Sequence, residues 1–138
     1  MASISIMRIW SGCAAIILAA LSLLSCSSGQ QLQAIEVTPA SEIFGAPDPS
    51  AQVQLRALGT YTHPPATKDL TNQVTWASNT TQVAIVSSTG LLSPSGTGCG
   101  DAVISATLKT NNPTDNVVVG TMTTTVDDVN DPSCPQPQ

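Results

Sequence analysis

Aromatic side chains and charges are scarce in this 138-residue sequence. Two Trp, one Tyr and one Phe make up 3% of it, and Asp, Glu, Lys and Arg together only 9%. Four basic residues against nine acidic ones give a formal charge of −5. That excludes nucleic acid as a partner, because binding it needs many Lys and Arg to displace counterions. It equally excludes a polybasic patch for anionic lipid. A lone histidine, His63, would have to serve any Ser/His/Asp machinery, yet it lies in a Pro-rich stretch and no Gly-x-Ser-x-Gly elbow is present. One histidine and a few distant cysteines complete no tetrahedral zinc site. The expectation is a non-enzyme without catalytic residues, metal or cofactor.

The start of the chain is the opposite of sparse. Arg8 precedes an apolar run from Ile9 to Leu24, followed by Ser25-Cys26 and the polar Ser27-Ser28-Gly29-Gln30-Gln31. A basic residue, a short apolar stretch and small residues at its end describe a secretory signal. The run is shorter than the about 20 residues that cross a bilayer, and no basic stop-transfer flank follows. Leu23-Leu24-Ser25-Cys26 resembles the lipobox of bacterial lipoproteins, although Leu24 stands where that family prefers Ala, Thr or Ser. The resemblance implies lipidation of Cys26 and removal of residues 1–25. A simple secretory signal and an uncleaved anchor are the alternatives. Ser27 is not Asp, which in a two-membrane bacterium points toward the outer membrane. Two or three acyl chains on one cysteine suffice for stable attachment, where a single chain is marginal.

With Arg8 removed, the formal charge of residues 26–138 falls from −5 to −6. Residues 26–31 read as a short flexible leash, 32–128 as one domain and 129–138 as a Pro-rich tail. Val53, Leu55 and Ala57 alternate with polar neighbours, as do Ala102, Ile104, Ala106 and Leu108, which is the period of a half-buried strand. Ala34–Val37, Gln73–Ser78 (with Val74 and Trp76 on one face), Val83–Val86 and Val117–Val126 are further strands. Turns fall at Gly45–Ser50, Thr89-Gly90, Ser93–Gly100 and Asn111-Asn112-Pro113, and a long loop is expected from Thr62 to about Asn72. No segment of this part carries a 3.6-residue period. Short strands at this spacing predict an all-β antiparallel sandwich of about seven strands.

In this order, Ile35-Glu36-Val37-Thr38-Pro39, Val53-Gln54-Leu55-Arg56-Ala57, Val74-Thr75-Trp76-Ala77-Ser78, Val83-Ala84-Ile85-Val86-Ser87 and Gly90-Leu91-Leu92 resemble the bacterial immunoglobulin-like domain, group 2. The resemblance spans about residues 32–128. It implies an immunoglobulin-like sandwich acting in adhesion, ligand contact or spacing at a bacterial surface, with no general catalytic motif. Protein or polymer contact at the cell envelope is the expectation, through edge strands or end loops such as Thr62–Leu70. A cell-wall or glycan-binding module is the alternative.

Cys13 would leave with the signal, so Cys99 and Cys134 remain as an even pair in an oxidising compartment. A bridge between them closes a loop of about 36 residues and stabilises by about 3–4 kcal/mol. An intermolecular bridge and free thiols are the rival states. Three constellations have plainer readings. Gly96-Thr97-Gly98-Cys99-Gly100 precedes a strand rather than a helix, so it reads as a turn and not a phosphate loop. Asp127-Asp128-Val129-Asn130-Asp131 lacks EF-hand spacing and reads as a solvated strand end rather than a calcium site. Phe44 and Tyr61 read as plugs at the ends of a sandwich rather than as a sugar platform.

Overall fold

The computed structural model describes residues 29–110 and 116–134. The signal, the first half of the leash with Cys26, the Asn111–Pro113 turn and the last four residues of the tail lie outside the described residues. Ten strands and no helix occur among the described residues: β1 Gln31–Thr38, β2 Ser41–Phe44, β3 Val53–Gln54, β4 Arg56–Thr62, β5 Ala66–Asp69, β6 Thr75–Ser78, β7 Ala84–Val86, β8 Leu91–Pro94, β9 Gly100–Lys109 and β10 Val117–Val126.

One sheet has the order β2-β10-β9-β6, and two three-stranded sheets have the orders β1-β4-β5 and β3-β8-β7. β10 and β9 form the longest antiparallel ladder, from Val117↔Lys109 to Val126↔Gly100. Their alternation is the sequence's alternation made physical, since Ala102, Ile104, Ala106, Met122, Thr124 and Val126 are all buried. The inward side chains meet Val37, Leu55, Ala57, Trp76 and Leu92 in one cluster. Each large aliphatic residue fully removed from water contributes about 1.5–3 kcal/mol. The layers therefore form the expected immunoglobulin-like all-β sandwich.

Two elements differ from the sequence reading. β2 was not foreseen: it pairs in parallel with β10, from Ser41↔Thr123 to Phe44↔Val126. The chain thus leaves β4's partner β1 and crosses at Pro39-Ala40 into the other sheet. Most of the long loop expected from Thr62 is also structured. β5 returns antiparallel to β4, from Tyr61↔Ala66 to Leu58↔Asp69, leaving a turn at His63–Pro65. His63 there adopts φ 57.

Two glycines are dictated by close approach. Gly90 closes the β7–β8 hairpin at φ +81, and its N–H donates to Ser87 O at 3.0 Å. A Cβ there would also stand 3.1 Å from the Trp76 ring, so the turn and the core plug demand the same residue. Gly120, in the middle of β10, lies against the Ile35 backbone of β1, and a Cβ would press on the Ile35 carbonyl oxygen and stand 2.8 Å from Ile35 Cγ2.

Candidate functional site

Trp76 anchors a hydrogen-bond network that runs from the core to the surface. Its ring is 8% exposed, and its indole N–H donates to Thr71 O at 2.9 Å, which satisfies the one polar group of a buried aromatic. Thr71 is itself buried. Its hydroxyl accepts from Ala57 N–H at 3.0 Å and donates to Asp69 Oδ1 at 2.6 Å, while Thr71 N–H donates to the same carboxylate oxygen at 2.9 Å. Arg56 approaches Asp69 Oδ2 at 2.9 Å. The Thr71 hydroxyl, the Thr71 N–H and the Arg56 guanidinium together hold the Asp69 carboxyl down at a pKa of about 2.

This network floors an open cleft of about 480 Å³ between the β3–β4 segment and the turn after β5. Gln54, Asn72, Gln73 and Thr89 line its rim. Gln54 Nε2 is spent internally, donating to Leu55 O at 2.9 Å and Thr89 O at 2.8 Å, which fixes the amide with its oxygen as the remaining acceptor. The Arg56–Asp69 pair cancels its own charge. Such a surface offers fixed hydrogen-bonding groups to a neutral polar ligand. The sequence held no signal for this cleft, because its residues come from three separated segments of unremarkable polar character.

The opposite feature is the tail. Cys99 and Cys134 stand at disulfide distance, with Cα atoms 5.5 Å apart, and Cys134 is buried. An Asp131 carboxylate oxygen lies within 4.8 Å of both sulfurs. Once joined, the sulfurs have no thiolate to offer a metal. The acidic stretch beside them is only partly the solvated strand end expected. Asp127 is buried, at 3% exposure, and its N–H donates to Phe44 O at 2.7 Å. Asp128 Oδ1 accepts from Asn130 N–H at 2.9 Å, and Asp131 Oδ1 accepts from the N–H and hydroxyl of Ser133 at 2.9 and 2.6 Å. These local turns hold the Asp131 carboxyl below its ordinary range, the Ser133 hydroxyl contributing most. Asp101 is engaged elsewhere, by the Thr125 hydroxyl at 2.7 Å.

Phe44 is 6% exposed and Tyr61 half-buried against the core, so with Trp76 they form no exposed aromatic row. Lys68 Nζ lies 4.7 Å from the Tyr61 ring centroid and donates to Gln30 Oε1, tying β5 to the chain just before β1. His63 is exposed in the turn between β4 and β5.

A family model for the bacterial Ig-like domain (group 2) matches residues 31–119 of the chain. A search of curated proteins found no match. The matched span runs from the first residue of β1 into β10. It therefore takes in the cleft, the Trp76 network and Cys99, and leaves Cys134 and the tail beyond it.

Proposed function

From the premise that the chain belongs to the bacterial Ig-like domain (group 2) family, we propose that it is a lipoprotein held at the envelope by acylated Cys26, whose domain makes non-catalytic contact with an envelope or extracellular protein or polymer. The family is non-enzymatic and occurs in extracellular or envelope-associated bacterial proteins. The observation that carries the reading is the order along the chain. A lipobox-like Leu23-Leu24-Ser25-Cys26 stands just ahead of β1, which begins at Gln31, so the sandwich sits close to its point of attachment. The tail is tied back by a Cys99–Cys134 bridge.

Contact is made along β5, the edge of the β1-β4-β5 sheet, whose side chains from Thr67 to Asp69 are exposed. An edge strand offers unpaired backbone groups to an added strand. Metabolic labelling with an alkyne fatty acid tests the anchor: Cys26→Ser abolishes the label and releases the protein from the membrane fraction, and persistent labelling refutes the reading. A photo-crosslinker at Thr67 in the intact envelope tests the contact, and recovery of lipid and random neighbours alone refutes it.

The cleft over Asp69 favours a second reading, a glycan-binding module. Fixed amides and a self-neutralised ion pair suit the hydroxyls of a neutral saccharide, although burial of Trp76 and Phe44 removes the stacking platform such sites commonly use. Titration with neutral tetrasaccharides that leaves the Gln54, Asn72 and Gln73 side-chain amide resonances unmoved refutes it.

A further inference from the structure

The outward face of the β2-β10-β9-β6 sheet has an unusual composition. Of the large apolar side chains exposed among the described residues, Ile43, Val103, Val117 and Val119 share this face, while Ile85 and Val129 lie elsewhere. The other outward positions of β10 and of the middle of β9 are Thr and Ser: Thr121, Thr123, Thr125, Ser105 and Thr107. Thr75 and Ala77 of β6 extend the row through their pairing with Thr107 and Ser105. The face is thus short-chained and free of bulky charged groups over its centre. The side-chain entropy lost on covering it is correspondingly small.

Its charges lie at its two ends on a single strand. Asp101 begins β9 and Lys109 ends it, both exposed and both outward. Asp101 is the one carboxylate among the outward positions of these four strands, in a chain whose net charge is −5. Eight residue steps at about 3.3 Å set the two charges about 26 Å apart.

We propose that this face pairs with the same face of a second copy, about a two-fold axis that lies between the sheets, crosses the strands and passes near Ser105. That operation lays β9 antiparallel on the partner's β9 and sets Asp101 against the partner's Lys109 at both ends. It also sets Val103 against the partner's Thr107, and Val119 against the partner's Thr123, so branched side chains meet hydroxyl-bearing ones of similar size. An isologous contact is self-complementary in this way by construction. A two-fold axis running along the strands instead would set Lys109 against the partner's Lys109, and the charges forbid it. The proposal rests on the reading of the domain as a contact module and adds, on the sheet that does not contain β5, a contact with another copy of the chain.

A patch about 26 Å long and four strands, or about 19 Å, wide covers about 500 Å² on each copy. The total of about 1,000 Å² is at the low end of specific interfaces, which makes the pairing weak and reversible. The pairing also fixes the direction of the two chains. Ile35 packs beside Gly120, and Ala40 O accepts from Thr123 N–H, so β1 runs alongside β10 and Gln31 lies toward the Lys109 end. The two-fold axis sends these ends to opposite poles. Copies tethered near Gln31 therefore meet from facing surfaces rather than side by side on one.

Sedimentation equilibrium of residues 27–138 tests the proposal. The hydrophobic core is built from Leu32 to Val126 and both cysteines are retained, so this species keeps the whole fold. The expected result is a concentration-dependent dimer that weakens as salt rises. Asp101→Lys and Lys109→Asp should each weaken it about tenfold or more, and the double exchange should restore it to within about threefold of the parent. Ser105→Arg, at the centre, should abolish it without altering the melting temperature. If self-association simply followed net charge, Asp101→Lys would strengthen the dimer and Lys109→Asp would weaken it, and that result overturns the proposal. A chain that stays monomeric throughout also overturns it. Should that monomer still crosslink from Thr67 to an envelope protein, the contact reading stands and the second copy alone falls.

Discussion

Removing both Cys99 and Cys134 should cost the domain most of its thermal margin. The cysteines are 35 positions apart, and their Cα atoms stand 5.5 Å from each other in the fold. A bridge there leaves the native geometry undisturbed and confines the unfolded chain to a loop of about 36 residues. In the chain-entropy model that confinement is worth about 3.8 kcal/mol at 25 °C. With roughly 100 ordered residues and about 2.1 cal/mol/K each, the unfolding entropy is about 0.2 kcal/mol/K, so the midpoint should fall by about 18 °C in Cys99→Ala/Cys134→Ala. Thermal denaturation followed by circular dichroism gives the number directly. Urea unfolding gives a second signature, because the uncrosslinked chain exposes more surface when unfolded and the m-value should rise. Two reactive thiols in the oxidised protein, or a midpoint lowered by less than about 4 °C, would refute the reasoning. The bridge would then be absent, or would merely decorate a tail that the rest of the domain does not feel.

Gly120→Ala should destabilise by about 1–3 kcal/mol or more, since its Cβ meets the Ile35 backbone rather than a movable side chain; urea denaturation checks it. Thr124→Val should stabilise by about 1 kcal/mol, seen as a higher melting temperature, because Thr124 Oγ1 is buried without a hydrogen-bond partner. Asp69 has a folded pKa lowered to about 2, against about 3.9 unfolded, so its contribution is complete above about pH 4 and lost as pH falls through about 2. An acid titration of stability should therefore be shallower in Asp69→Asn than in the parent over that window, and identical curves would remove Asp69 from the account.

The long strands were legible in the sequence because one side of each faces the core. β9 and β10 alternate over ten residues each, and their burial follows the alternation. β2 and β5 were not legible, for different reasons. Ser41–Phe44 is four residues long and buries only Phe44, so its pattern is too short to register a period. Ala66–Asp69 is an edge strand whose side chains meet water on both faces, which erases alternation altogether. Asp127 was misplaced because it opens an acidic run that ends exposed at Asp131, while Asp127 itself still follows the backbone of β10 past Val126 into contact with Phe44. The cleft over Asp69 depends on residues that only the crossing of β3, β4 and the Thr71 turn brings together.

The parallel pairing of β2 with β10 bears on how the domain responds to tension. β2 leads back through β1 to the N-terminal side of the chain and β10 leads out toward the tail, and the two run side by side in the same direction. Once β1 has come off β4, force between β2 and the tail, whether it enters through β10 or through Cys99 beside Gly100, pulls these strands lengthwise past each other. The pairs from Ser41↔Thr123 to Phe44↔Val126 then share the load at once instead of opening one after another like a zipper. A domain built this way gives way abruptly and late, holding its full length until these pairs fail together.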